Sequence, residues 1–459
     1  MDTEAGRILV AATASGVGKT TVVCGLLRSL QRRGLRLNAF KCGPDYLDPQ
    51  FHRAVLGIPS LNLDPFLAGE DLTRQTLAHG CEHADLCIVE GAMGYYDGIA
   101  QGHDASAYDV ARITRTPSVL VVDARGRALS LAAEVSGFLR FREPSFVRAV
   151  IANGASAGYF PRLKAMVERE CGVPVLGYVP RLDEASLESR HLGLVSAEEV
   201  DDLRQRMDFV ADAVERTVDL DALLELSREA EPIRCGPRAL PAPVSGAPVV
   251  AVARDAAFSF YYEDSLELLE RLGARLAYFS PLRDGSLPDG TCGLYLGGGY
   301  PELHARELSA NDRLLAAVRA AIADGMPTIA ECGGYLYLHQ TLEDAAGQAW
   351  PMVGAVPGKA YRRDRMGRFG YVEPVALRDG LLAQRGESLR AHEFHYWQSA
   401  TDGDAFLARK PQSDRSWASV VGTNALYAGF PHLYLNGCPK AAKRFVDACA
   451  AYACRGEEC

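Results

Sequence analysis

No apolar run in these 459 residues approaches the roughly 20 needed to span a bilayer. Asp2 and Glu4 stand near the N-terminus where a signal peptide would carry Lys or Arg. The expectation is a cytoplasmic protein that makes no use of a membrane. Basic residues are in deficit, 49 Lys and Arg against 58 Asp and Glu, for a formal charge of -9. No dense Lys/Arg stripe overturns that balance, which argues against a nucleic-acid-binding surface. The 12 cysteines contain no Cys-x-x-Cys spacing, so nothing suggests zinc. Those such as Cys24, Cys87, Cys171 and Cys292 fall in expected strands and helices and read as reduced core residues, and Cys454 and Cys459 lie on a polar tail with no assignable role. Repeats of solenoid period are also missing.

What is present is an average globular composition, 48% hydrophobic and 23% charged, in a chain long enough for two domains. From Arg7 onward short apolar runs alternate with helical patterns: Ile8 to Ala11, Leu35 to Phe40, Leu86 to Val89, Val119 to Val122, Val147 to Ala152 and Val175 to Tyr178. Continuous runs of this kind read as parallel strands covered on both faces, an α/β signature. Val22, Val23, Leu26, Leu27 and Leu30 share one helical face, and Gly34 stands where a C-terminal cap belongs. Between Glu231 and Pro248 the pattern gives way to crowded Pro and Gly, read as a linker over 232–247 between domains 1–231 and 248–459. A second α/β series follows: Val249 to Ala253, a helix from Tyr262 to Leu272, then Leu276 to Phe279, Leu294 to Leu296 and Thr328 to Ala330.

In the first domain Thr13-Ala14-Ser15-Gly16-Val17-Gly18-Lys19-Thr20 lies between an expected strand and helix. Gly16 and Gly18 let backbone N–H groups curl around phosphate oxygens, and the helix N-terminus adds positive potential. Lys19 reaches the β/γ-phosphates, and the Thr20 hydroxyl can ligate Mg²⁺. Thr13 replaces the first Gly of the usual P-loop, and the remainder resembles the variant loop of dethiobiotin synthetase. Glu90, after the run Leu86 to Val89, is the candidate metal-holding acid, with Asp123 a rival. Lys41-Cys42-Gly43-Pro44-Asp45-Tyr46-Leu47-Asp48-Pro49 follows another strand, so its aspartates belong on the same carboxyl-end edge, where open α/β sheets bind ligands. Asp45 and Asp48 there can hold a second Mg²⁺ or orient a substrate carboxylate, or simply form a turn. Asn153 closes its strand where an amide can meet adenine.

In the second domain Cys332 directly follows the strand at Thr328 and precedes Gly333-Gly334, the pattern of a nucleophile elbow whose next N–H helps form an oxyanion hole. Gly298 and Gly299, in Leu296-Gly297-Gly298-Gly299-Tyr300-Pro301-Glu302, are further oxyanion candidates. A thiol attacking a glutamine amide needs a base to activate it and protonate the leaving amine. His432 is that candidate, with His392 and His395 as competitors.

A P-loop half joined to a C-terminal glutaminase resembles the corrinoid glutamine amidotransferases over about residues 7 to 445. The resemblance rests on the P-loop, the Cys332 elbow and several other stretches. These are Phe40 to Pro49, Val89-Glu90-Gly91-Ala92-Met93-Gly94-Tyr95-Tyr96-Asp97-Gly98, Ser189-Arg190-His191-Leu192-Gly193-Leu194 and Glu393-Phe394-His395-Tyr396. Within that family the Gly-Pro-Asp-Tyr-Leu-Asp-Pro and Glu-Gly-x-Met-Gly-x-Tyr-Asp-Gly patterns look like the a,c-diamide synthases. The resemblance implies an α/β fold: a P-loop NTPase-like parallel-sheet domain followed by a class I glutamine amidotransferase domain. It implies ATP and Mg²⁺, glutamine or ammonia as nitrogen donor, and amidation of the a- and c-carboxylates of cobyrinic acid through an acyl phosphate in cobalamin biosynthesis. Asp45, Asp48, Glu90 and Asp97 would serve metal, nucleotide and substrate carboxylates, with Tyr46 and Leu47 near the ring and a homodimer as the assembly to test. Relatives often read His-Leu-His where this chain has His432-Leu433-Tyr434, and the wider class carries an acid in that last position. The group that orients His432 is therefore unnamed. Rival readings are the same chemistry on hydrogenobyrinic acid or nickel sirohydrochlorin, or a non-catalytic regulatory ATPase.

Overall fold

The computed structural model describes residues 5–182, 197–363 and 367–455. The quoted stretch 189–194, together with Asp2, Glu4 and Cys459, lies outside them. The described residues up to Arg238 form one compact unit, and those from Ala239 form a second.

In the first unit, strands β1 (Gly6–Ala12), β2 (Leu37–Cys42), β3 (Ser60–Leu63), β4 (Leu86–Glu90), β5 (Ser118–Asp123), β6 (Val147–Asn153) and β7 (Val175–Val179) build one sheet. Its order is β3-β2-β4-β1-β5-β6-β7, and every pairing is parallel. The apolar runs become strands because both faces are covered: Ile8, Leu9, Val10, Ile88 and Val89 are all fully buried. β3 was not apparent in the sequence, since its four residues carry Asn62 and form no apolar run. Helix α1 (Lys19–Arg32) leaves the P-loop and ends as its residues dictate. Gly34, at φ 83°, donates to the Gln31 carbonyl, and the Leu35 N–H donates to that of Leu30. Those two bonds satisfy carbonyls that a helix end would otherwise leave open. Helix α2 (Leu47–Ala54) starts inside the aspartate-rich loop.

The second unit contains a six-stranded sheet that is parallel except at one edge. It is formed by β8 (Val249–Ala253), β9 (Arg275–Phe279), β10 (Thr291–Leu296), β11 (Thr328–Glu331) and the strands Leu426–Gly429 and Val421–Gly422. Between β11 and the chain's last helix the structure adds two smaller sheets, of four and five strands, whose pairings are mostly antiparallel. These strands alternate buried and exposed positions and so give no continuous apolar signal. One of them matters for function. The two-residue strand His432–Leu433 pairs with Ala391–Phe394, setting His432 opposite His392.

α1 lies against the helix Ala197–Thr217 at Gly25, where a Cβ would sit 2.8 Å from Val210 Cγ1 and 2.8 Å from Val214 Cγ2. Overpacking there is expected to cost about 1–3 kcal/mol. Gly25→Val should therefore lower the denaturation midpoint of the first unit, which urea unfolding would measure.

Candidate functional site

The carboxyl ends of β1, β2 and β4 bring the first set of predicted residues together. Register pairs Lys41 of β2 with Glu90 of β4, so both side chains leave the same face of the sheet. Lys41 Nζ donates to Glu90 Oε1 at 2.9 Å, to the Gly91 carbonyl at 3.2 Å, and lies 2.6 Å from Asp48 Oδ2. Thr20 Oγ1 donates to the same Glu90 oxygen at 2.7 Å, tying the start of α1 to the end of β4. His52 Nε2 of α2 is 3.5 Å from Glu90 Oε2. Lys41 is 4% exposed and Glu90 0%, so this is an internal ion cluster. Burial works against charge on Lys41, yet the carboxylates of Glu90 and Asp48 outweigh it and hold the ammonium well above its ordinary range. Burial likewise opposes ionisation of Glu90, while Lys41 and the nearby His52 imidazole hold it well below its ordinary range. Burial, with Lys41 nearby, pushes Lys19 down.

The P-loop is braced from β6. Asn153 Nδ2 donates to the Val17 carbonyl at 2.7 Å, and a Cβ on Gly18, at φ 86°, would collide with that amide. One N–H of the Asn153 amide is thus engaged by the loop, and its second N–H and its Oδ1 are not used by that bond. Lys19 Nζ rests on the Met93 carbonyl at 3.3 Å. The rival Asp123 is engaged by Arg125 of its own loop through bonds of 2.8 Å. Asp45 Oδ1 accepts from the N–H groups of Leu47 and Asp48, at 2.8 and 3.0 Å, and so starts α2. Burial and the charge of Asp48 push Asp45 up. Asn62 of β3 holds the same loop through the Gly43 and Asp45 carbonyls, at 2.9 and 2.6 Å. Tyr46 is buried and Leu47 half-buried. Asp97 Oδ2 accepts from the Gly94 N–H at 2.9 Å and shapes the following loop.

Thr20, Glu90 and Asp48 offer hard oxygen donors, the set that Mg²⁺ prefers. Among the described residues no cluster of three or more His, Cys, Asp or Glu forms a ready-made metal cage. Lys41 and His52 escaped the sequence reading. The signal for Lys41 was a charged residue inside an otherwise apolar strand, which only an internal counter-ion can explain.

In the second unit Cys332 occupies φ 46°, ψ −99° between β11 and the helix Gly333–Tyr337. A non-glycine residue in that region stores of order 1–3 kcal/mol of strain, and the sharp turn lifts the sulfur off the sheet edge. The glycine turn after β10 lies directly against the elbow. A Cβ on Gly333 would stand 2.9 Å from the Gly299 nitrogen, and one on Gly298 would stand 2.4 Å from His432 Cε1. Side chains at 298 and 333 are thus excluded by the approach that puts Gly298, Gly299, Gly333, Cys332 and His432 in one place. The Gly333 N–H points at the Cys332 sulfur, which itself faces the Phe394 carbonyl at 3.9 Å. Burial, then the charge of Glu302, pushes the thiol well above its ordinary value. Burial, with His392 and His395 adding to it, pushes His432 down to about 3. A protonated thiol beside a neutral imidazole is the resting state that general-base activation requires.

The sequence named no group that orients His432. Tyr434, in the position of the missing acid, turns its hydroxyl to Asp264, which also accepts from Asn436 at 2.8 Å. A contact to the strand of His432 comes from Glu331, directly before Cys332. Its Oε1 accepts the Leu433 N–H at 3.0 Å, and Tyr295 donates to Oε2 at 3.3 Å. Burial pushes this carboxyl up to about 8. His395 stacks on Phe430 with ring centroids 3.7 Å apart and bonds through Nδ1 to the Trp397 carbonyl at 2.7 Å, a structural engagement. His392 stands beside His432 across the strand pair.

Removing the ammonium from the first cluster would leave Glu90 and Asp48 buried without a counter-ion, a loss of about 3–5 kcal/mol when one partner of a buried pair is deleted. Lys41→Met is therefore expected to destabilise the first unit by that amount in urea titration, whereas Arg125→Met, at an exposed pair, should leave the midpoint nearly unchanged.

Two family models match the chain. Residues 8–195 match the CobQ/CobB/MinD/ParA nucleotide binding domain, and residues 249–434 match the CobB/CobQ-like glutamine amidotransferase domain. The cobyrinate a,c-diamide synthase of Listeria monocytogenes serotype 4b (strain F2365) is 41% identical over 93% of this chain and 96% of its own. The enzyme of that name from Salmonella typhimurium is 40% identical over 96% of this chain and 97% of its own. That from Thermoplasma volcanium is 36% identical over 98% and 99%. With a nucleotide-binding domain ahead of a glutaminase domain, and near-complete coverage at such identity, the chain belongs to the cobyrinate a,c-diamide synthase family of glutamine-dependent amidating ligases.

Proposed function

We propose that this chain converts the a- and c-carboxylates of cobyrinic acid to amides, using ATP and glutamine and passing through an acyl phosphate. The observation that carries this reading is the pairing, in one chain of this family, of a P-loop tied to a buried acid with a strained cysteine elbow whose neighbouring glycine turn lies against a neutral histidine.

In the first unit the backbone around Gly16 and Gly18, with Lys19, holds the ATP phosphates. Thr20, Glu90 and Asp48 would hold Mg²⁺, whose charge offsets that of the phosphates. Asp45 and Asp97 position the substrate, with Tyr46 and Leu47 toward the ring. A substrate carboxylate oxygen attacks the γ-phosphorus, the bond to the β-phosphate oxygen breaks, and ADP leaves. The acyl phosphate provides the leaving group that a free carboxylate lacks. In the second unit His432 takes the Cys332 proton and the thiolate attacks the glutamine amide carbon. Donors near Gly298, Gly299 and Gly333 receive the oxyanion. His432 returns the proton as ammonia departs, and water then hydrolyses the thioester to glutamate. Ammonia attacks the acyl carbon and phosphate leaves, and a second round completes the diamide.

Purified protein with Mg-ATP, glutamine and cobyrinic acid should yield a diamide by mass, with coupled release of ADP and glutamate. Cys332→Ala is expected to lose glutamine-driven turnover by roughly 1,000-fold or more, as nucleophile removal does elsewhere, while ammonia still supports amidation. Turnover on hydrogenobyrinic acid or nickel sirohydrochlorin in place of cobyrinic acid would keep the mechanism and replace the substrate.

A further inference from the structure

The Lys41 ammonium already engages the oxygens that the first unit offers to a metal. It lies 2.6 Å from Asp48 Oδ2 and donates at 2.9 Å to Glu90 Oε1, the oxygen that also accepts from Thr20 Oγ1 at 2.7 Å. Thr20, Asp48 and Glu90 are the residues that would hold Mg²⁺, so ion and ammonium address one donor set. The second Glu90 oxygen, Oε2, is buried and makes no hydrogen bond among the described residues, with His52 Nε2 standing 3.5 Å away. One carboxylate thus serves Lys41 and Thr20 through one oxygen and keeps acceptor capacity on the other. The side chains of Lys41, Asp48 and Glu90 are all buried, and the Gly91 carbonyl, 3.2 Å from Nζ, holds the ammonium at the strand end. A divalent ion entering by itself would set three positive charges against two negative ones in a space removed from water, and Mg²⁺ gives up its hydration reluctantly. Nucleotide phosphates reverse that balance, because they bring negative charge and metal ligands together.

We propose that Lys41 is the resident cation of the metal site: its ammonium compensates Glu90 and Asp48 in the nucleotide-free protein and bars bare Mg²⁺, so that the ion enters only with a nucleoside triphosphate. The ligand selected is the metal–nucleotide complex and not its metal alone. A protein without the ammonium would hold two buried carboxylates in want of a counter-charge, and a divalent ion could then supply it. The proposal rests on Thr20, Asp48 and Glu90 being the metal-holding residues, and the test separates the two.

Mg²⁺ binding to the full chain would be followed by titration calorimetry, in nucleotide-free protein and beside a non-hydrolysable ATP analogue, with urea unfolding in parallel. The wild type should take up Mg²⁺ only with the analogue, and its unfolding midpoint should not respond to Mg²⁺ alone. Lys41→Met, freed of a like charge a few ångströms from the ion, should bind bare Mg²⁺ at least about 10-fold more tightly than the wild type. Its lowered midpoint should recover as Mg²⁺ is added, and combining Lys41→Met with Glu90→Gln should abolish that recovery. A wild type that binds Mg²⁺ alone as tightly as beside the analogue, or a Lys41→Met protein whose affinity and midpoint ignore Mg²⁺, would overturn the role of Lys41 while leaving the metal residues in place. If Glu90→Gln left Mg²⁺ binding beside the analogue unchanged, the metal assignment itself would fall and this proposal with it.

Discussion

A charge that folding removes from water must find its counter-charge inside the protein, and in the first unit that requirement is met by one ammonium. Lys41 lies among Glu90, Asp48 and the Gly91 carbonyl. Through Glu90 it reaches Thr20 at the start of α1, and through Asp48 it reaches α2. The sheet, the phosphate loop and the aspartate loop are thus fastened at a single internal point. That point also lies at the carboxyl edge, where a parallel sheet collects its ligands. The same few atoms therefore hold the phosphate loop and the aspartate loop to the sheet.

The second unit applies the same rule with the counter-charge left out. Burial keeps the Cys332 thiol protonated and His432 neutral, and the acids around the sulfur reinforce the first effect. An empty glutaminase is therefore electrostatically at rest. Two contacts align this region: Glu331 grips the strand of His432 through the Leu433 N–H, and the glycine turn closes on the His432 ring.

Much of this was legible in the residues because the signals are local. An apolar run becomes a buried parallel strand, a Gly-Lys-Thr after it becomes a phosphate loop, and a Cys between a strand and paired glycines becomes an elbow. Each needs only its neighbours in sequence. What escaped depends on partners far away. β3 has no apolar run, and its Asn62 gains meaning only from the loop that it clamps. The antiparallel strands beyond β11 are half-buried, so their pattern is faint. Glu331 reads as an ordinary strand-end acid until Leu433 is beside it. Asn153, placed correctly at the strand end, also bonds to the Val17 carbonyl, a contact that folding and not spacing makes.

The bond from Glu331 to Leu433 spans 102 residues. A ribosome adding about 5–20 residues per second produces the thiol well before the imidazole, with an interval of about 5–20 s between them. Until the two-residue strand carrying His432 has been made, Glu331 lacks the Leu433 N–H that ties that strand to the elbow.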